Sequence, residues 1–240
     1  MPTAELTRKS ALLTNFNNIT GRLAASKQGS VQAAAPELMA VTKYAADEDV
    51  KLLIETGAIK TAGENKVQDA RNKWTNGALS ALRSRVKLHF IGHLQTNKAK
   101  TAVETFDWID CIDSLKIAVE VDRHARDLGK TIPVLIQLKL NDSPTQSGVT
   151  PDQAAGLLAG VRALKNLAPS GYMGIAPVNG TPVELNAAFA AAKKIFDRDF
   201  GYGVNAWGFT NYLSLGMSGD YEAAVAAGSN LPRIGSALFA

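Results

Sequence analysis

The chain has 240 residues, of which 46% are hydrophobic, 20% charged and 7% aromatic, the balance of a globular protein with a sizeable core rather than a disordered or collagen-like chain. Lys and Arg number 26 against 22 Asp and Glu, a formal charge of +4, and the charges are interspersed without the basic run that tracks a nucleic-acid backbone. A single cysteine, Cys111, excludes an internal disulfide and a multi-thiolate metal site; in the run WIDCI it reads as a buried, inert thiol.

The first twenty residues, MPTAELTRKSALLTNFNNIT, are polar and periodic. Leu6, Leu12, Leu13, Phe16, Ile19 and Leu23 fall on an approximate helical stripe, which predicts an opening helix. The segment has no long apolar core, so it is read as neither a secretory signal nor a membrane span, and a cytoplasmic location is expected. Residues 26–36 (SKQGSVQAAAP) end this helix without separating two folded units, so one domain over residues 1–240 is expected.

Apolar runs bounded by turn residues then predict strands over 38–42, 58–62, 88–92, 108–112, 134–140, 172–175, 207–215 and 232–234. Between them, amphipathic or Ala-rich segments predict helices over 47–55, 115–128, 153–164, 183–196 and 220–226. Each parallel crossover needs a helix-sized connection, so this alternation implies a parallel sheet. Eight strands in a chain of this size suit a closed (β/α)8 barrel, with an open doubly wound sheet as the rival. The first strand is not followed by Gly-x-Gly-x-x-Gly, which argues against a dinucleotide site.

Chemistry in such a barrel lies at the C-terminal ends of the strands. Lys43 follows the first strand; a lysine amine partly withdrawn from water can condense with a carbonyl, although a solvated lysine at a strand end is the commoner case. In the SLGMSGD turn, Ser218 is expected to cap a helix over 221–227 and to leave backbone N–H groups free for an anion, unless Asp220 and Glu222 already satisfy the helix dipole. The last strand delivers Arg233, Gly235 and Ser236, and phosphate sites built from the loops after strands 7 and 8 recur in these barrels. His93 stands at the end of the third strand, where a hydrogen-bonding role competes with ligand contact; the three histidines show no metal-ligand spacing.

The stretches AVTKYA (40–45), GENKVQDARNK (63–73), HFIGHLQTNKAK (89–100), VLIQLKLND (134–142) and LSLGMSGDYEAAVAAGSNLPRIGSALF (213–239) are long, unusual and span nearly the whole chain. In these the chain resembles the pyridoxal-phosphate homeostasis protein family, whose fold is similar to the N-terminal barrel of alanine racemase. The resemblance implies a single barrel that holds pyridoxal 5′-phosphate (PLP) as a Schiff base with Lys43. It implies that Arg233 faces the pyridine nitrogen, that Ser218, Gly235 and Ser236 hold the phosphate, and that Asn65 of the GEN motif lies near the cofactor. Three positions depart from the family pattern: Gln146 stands where relatives commonly carry a lysine before Ser147-Gly148, Lys66 where an aromatic is common, and YMGIAP (172–177) is a variant.

A guanidinium stays protonated, so Arg233 would leave the pyridine nitrogen unprotonated and give it a donor, which makes a poorer electron sink than a pyridinium. Racemisation further needs acid–base groups on both faces of the substrate. In alanine racemase, by resemblance, the second group is a tyrosine of an additional domain; here Tyr44 or Tyr172 would have to substitute. The expectation is therefore a PLP-binding protein that buffers or delivers the cofactor with little or no turnover, with PLP-dependent apo-enzymes as candidate recipients. It is expected to be a monomer and to bind neither nucleic acid nor membrane. A small PLP-dependent amino-acid racemase or lyase is the enzymatic alternative, and a barrel for another phosphorylated metabolite the third.

Overall fold

The computed structural model describes residues 2–27, 35–141, 143–144, 146–177 and 179–240; Asp142 and Thr145 of the expected motifs, and most of the stretch 26–36, lie outside them. The opening stripe becomes α1 (Pro2–Ser26), with Leu12, Ile19 and Leu23 buried. Strands and helices then alternate: β1 (Met39–Val41), α2 (Asp47–Glu55), β2 (Thr61–Glu64), α3 (Val67–Trp74), β3 (Lys87–Phe90), α4 (Ala99–Thr105), β4 (Trp108–Ile112) and α5 (Leu115–Asp127). They continue as β5 (Ile132–Lys139), α6 (Ala154–Arg162), β6 (Leu167–Ile175), α7 (Pro182–Asp199), β7 (Tyr212–Ser214), α8 (Tyr221–Ala226), β8 (Arg233–Ile234) and α9 (Ser236–Phe239).

All strand pairs are parallel, in the order β7-β6-β5-β4-β3-β2-β1-β8. The remaining seam between β7 and β8 is bridged where Arg233 N–H donates to the Gly216 carbonyl (3.0 Å) and Ser214 Oγ donates to the Leu231 carbonyl (2.8 Å). The architecture is a (β/α)8 barrel with an additional N-terminal helix. Among the described residues, no helix is long and apolar enough to cross a membrane.

Some elements differ from their sequence pattern for identifiable reasons. β6 starts at Leu167, five residues earlier than expected, because Pro169 and Gly171 disguise its first half. The β5–β6 register shifts between Val134 and Ile136, the kind of irregularity at which a strand tolerates proline. β7 is only Tyr212–Ser214, not 207–215: Asn205 Oδ1 accepts from the backbone N–H of Trp207 (3.0 Å) and Phe209 (3.1 Å), folding the preceding apolar stretch into a side-chain-closed turn. α3 buries only Val67, Ala70 and Trp74, and α4 is seven residues long, so both lack a stripe long enough to be read from sequence.

Barrel interiors are usually filled by branched apolar side chains. Here part of the interior is polar. His89 Nδ1 lies 2.9 and 3.0 Å from the two Asp110 oxygens, both residues are fully buried, and the Trp108 ring stacks on His89 at 5.0 Å. Before β1, Glu37 accepts from the Thr61 hydroxyl and from Tyr212 Oη (2.6 Å), so one carboxylate ties the starts of β1, β2 and β7.

Burial alone would raise the Glu37 carboxyl, but the bonds from Thr61 and Tyr212, together with the nearby Lys87 and His89, outweigh it and hold the group below its usual range. Its contribution to stability is thus present above the ordinary carboxylate value of about 4.3 and is lost as pH falls through the lower folded value. Burial and the neighbouring Glu37 charge push the Tyr212 phenol upward, so stability also declines as pH rises beyond about 10. We expect Glu37→Gln to flatten both limbs of the pH–stability curve measured by urea unfolding; limbs as steep as wild type would place the titrating pair elsewhere.

Candidate functional site

At the C-terminal end of β1 the chain reverses at once. Ala45 N–H donates to the Thr42 carbonyl (3.1 Å), so Thr42 to Ala45 form a β-turn with Lys43 and Tyr44 at its two central positions. Both side chains are exposed, and Lys43 Nζ sits 5.1 Å from the Tyr44 ring centroid. Lys43 is therefore a rim lysine in open contact with solvent, not one withdrawn from water.

The opposing wall comes from the loops after β7 and β8. Asp220 Oδ1 accepts from the Met217 backbone N–H (2.6 Å), and the N–H groups of Asp220 and Tyr221 return to the Met217 carbonyl, which closes the 217–221 loop tightly. Asp220, not Ser218, occupies the cap position of α8, which ends at Ala226. Ser218 Oγ instead accepts from the Ala237 N–H (3.3 Å), so it joins this loop to the first turn of α9. Among the described residues, the backbone N–H groups of Ser218, Gly219, Gly235 and Ser236 have no acceptor. These four donors and two serine hydroxyls are what an anion with several oxygens requires.

Arg233 forms the floor between the two walls and is 4% exposed. Its Nη1 donates to the Ser214 carbonyl (2.7 Å) and hydroxyl (2.9 Å) and its Nη2 to the Gly174 carbonyl (2.8 Å), while Nε makes no hydrogen bond among the described residues. Burial lowers the guanidinium to about 10, against the opposite pull of the Asp110 and Asp220 charges, so it remains a cation at neutral pH. A buried cation held by neutral oxygens, with no carboxylate in contact among the described residues, costs stability, and such a cost marks a candidate functional position.

Lys43, Ser218, Arg233, Gly235 and Ser236 all line one cavity of about 620 Å³. Its described lining carries two basic and no acidic side chains, and Val41, Ile91 and Phe239 supply apolar wall. Asn65 is not among the lining residues; it is half-buried after β2, with its carbonyl packed against Gly92. His93 is also outside it, its Nδ1 lying 2.9 Å from Ser147 Oγ and 3.4 Å from Asp113, which ties the β3, β4 and β5 loops together. Tyr172 is fully buried and donates to Asp199 (2.6 Å) at the end of α7, away from the rim.

Other residues that shape the site were not apparent from the sequence. Gly219 adds a free N–H beside Ser218, and adjacency to the SGD turn is its only sequence signal. Arg8, on α1, donates to Asp49 of α2 (2.6 Å) and to the carbonyls of Phe239 (2.8 Å) and Ala240 (3.0 Å), anchoring the far end of α9. Nothing in the local sequence links residues more than two hundred positions apart.

Comparison with known proteins bears on the family and the fold. Residues 15–240 match the family model described as alanine racemase, N-terminal domain. A pyridoxal phosphate homeostasis protein of Synechocystis is 36% identical over 204 residues, covering 84% of this chain and 89% of that protein. The structure of PipY from Synechococcus elongatus with PLP bound superposes with a TM-score of 0.74 at 31% identity, covering 92% of this chain and all of that one. An alanine racemase of Clostridium difficile shares the fold, with a TM-score of 0.68 at 15% identity, covering 95% of this chain and 56% of that one.

Proposed function

The chain belongs to the pyridoxal phosphate homeostasis protein family, one built on the alanine racemase N-terminal domain, and from that premise we propose that it binds PLP in the rim cavity and serves cofactor homeostasis by buffering or delivering PLP rather than by turning over a substrate. The observation that carries this reading is the sharing of one cavity by an amine, Lys43, and a wall of serine hydroxyls and of N–H groups without an acceptor among the described residues, at 218–219 and 235–236. The donor set fits the ligand: Lys43 would take the aldehyde as a Schiff base, Ser218, Gly219, Gly235 and Ser236 would hold the phosphate, and Arg233 would face the ring nitrogen. Asn65, outside the cavity lining, is assigned a place near the cofactor by its GEN motif only.

PLP supplies an electron sink when bound, and its strength depends on protonation of the ring nitrogen. Arg233 is already protonated at neutral pH and holds its proton, so it can offer the ring nitrogen a hydrogen bond but neither takes a proton from the ring nor transfers one to it. That weakens carbanion chemistry. Neither tyrosine stands as a second group for two-sided proton transfer: Tyr172 is committed to Asp199, and Tyr44 shares its turn with Lys43, so the pair occupies one side of the cavity.

The purified protein loaded with PLP should show a visible absorption band that borohydride removes, with the label mapping to Lys43. Deuterium exchange at Cα across a broad amino-acid panel should not exceed that with free PLP. Lys43-dependent exchange at enzyme-like rates would establish the racemase or lyase instead, and a protein with no visible band would point to another phosphorylated metabolite.

A further inference from the structure

The turn that carries Lys43 rests on a half-buried ammonium. Lys73, on α3, has a side chain only 13% exposed. Its Nζ lies 2.9 Å from the Thr42 carbonyl and 3.5 Å from the Ala45 carbonyl, the two ends of the Lys43 turn. The same nitrogen is 3.3 Å from Asp47 Oδ1 and 3.6 Å from Glu64 Oε1. Glu64 is 3% exposed, and its Oε1 also accepts from the Thr42 hydroxyl (2.7 Å) and from the buried Trp74 indole (3.2 Å). Four oxygens thus surround one cation, and two of them are the main-chain carbonyls that set the turn.

Lys43, by contrast, makes no hydrogen bond or ion pair among the described residues; it touches the Tyr44 ring. A lysine amine stands on a flexible four-carbon stem, so its aim is only as good as the backbone beneath it. Fixing that backbone restricts where the amine searches, and correct placement of a reacting group accounts for a large share of any condensation rate.

We infer that Lys73 is a positioning residue for the Lys43 amine: its ammonium, neutralised by Glu64 and Asp47, pins the turn so that Lys43 meets a carbonyl held by the cradle on the opposite wall. The inference rests on the PLP reading above. In the step concerned, the neutral Lys43 nitrogen bonds to the aldehyde carbon, and the carbonyl oxygen leaves as water with both amine hydrogens. Lys73 touches neither reactant.

The test titrates the full-length protein with two ligands, PLP and pyridoxine 5′-phosphate, which keeps the ring and phosphate but has an alcohol in place of the aldehyde. Lys73→Met, which keeps the stem and removes the charge, should weaken PLP about tenfold and slow its borohydride-trapped capture on Lys43 by a similar factor. Pyridoxine 5′-phosphate should bind within about twofold of wild type, since the cradle is untouched. Asp47→Asn, which loosens the cation without leaving Glu64 unpaired, should act in the same direction by about threefold, and decides the matter if Lys73→Met does not fold. Equal losses for both ligands would make Lys73 a general structural residue, and no loss for either would overturn the inference. Wild-type protein that gives no trapped label at Lys43 would remove the site reading itself, an outcome distinct from parity between variant and wild type.

Discussion

Lys43→Ala should abolish the borohydride-fixed PLP label and weaken PLP binding by about 10–100-fold, the scale of roughly 1.4–2.8 kcal/mol. The loss is confined to the covalent link, because the phosphate wall at 218–219 and 235–236 and the Arg233 floor belong to other strands and remain in place. The variant should therefore still bind PLP, without the visible band of the wild type. Lys43 is exposed and makes no hydrogen bond or ion pair among the described residues, so the unfolding free energy should stay within about 0.5 kcal/mol of wild type. Pyridoxine 5′-phosphate should bind both proteins alike. A variant that kept a reducible label would assign the amine to a different lysine and end the role given to residue 43.

The second large effect concerns the barrel rather than the ligand. Gly171→Ala, in the middle of β6, should destabilise the protein by about 3 kcal/mol or more, a large part of the 5–15 kcal/mol typical of a whole domain. A Cβ at this position would sit 1.9 Å from the Tyr212 carbonyl oxygen and 2.8 Å from its carbon, and the backbone φ is +129°, outside the range side chains accept. The obstacle is the main chain of the paired strand β7, with Gly171 and Tyr212 directly in register, so relief requires the sheet to part. Parting it there also disturbs the Tyr212–Glu37 bond. Gly156→Ala is the matched control: it lies exposed in α6 with nothing within 4 Å of the added carbon, and should be neutral or stabilising by up to about 1 kcal/mol. Urea unfolding of the two variants measures both. Equal and small effects would mean that β6 and β7 do not pair in this register.

These two predictions draw on information of different kinds. Lys43, Ser218, Arg233, Gly235 and Ser236, which line one cavity, could be picked out from the sequence, because Arg233 lies on the last strand, the others follow a strand where barrel chemistry collects, and all lie inside unusual motifs. Ser218 was placed in the right loop with the wrong partner: an N-cap role follows from sequence proximity to α8, whereas its hydroxyl serves Ala237, nineteen residues later. Asn65 is placed near the cofactor by its motif alone; in the fold it is half-buried after β2, with its backbone carbonyl packed against Gly92. In the same GEN segment, Glu64 is buried, accepts from Trp74 and lies 3.6 Å from the Lys73 nitrogen that meets the Lys43 turn.

From its residues alone, this protein was determined to be an alternating strand–helix chain with an amine on its first strand and an anion-holding pair of loops on its last two. Hydrophobic period and turn chemistry are local properties, readable within a dozen residues. Only closure of the barrel decided that those distant segments face each other across one cavity, that Glu37 bonds Tyr212 across 175 positions, and that Lys73 lies under the Lys43 turn. Such contacts arise from the order and tilt of all the strands together, and no local stretch of sequence carries a signal for them.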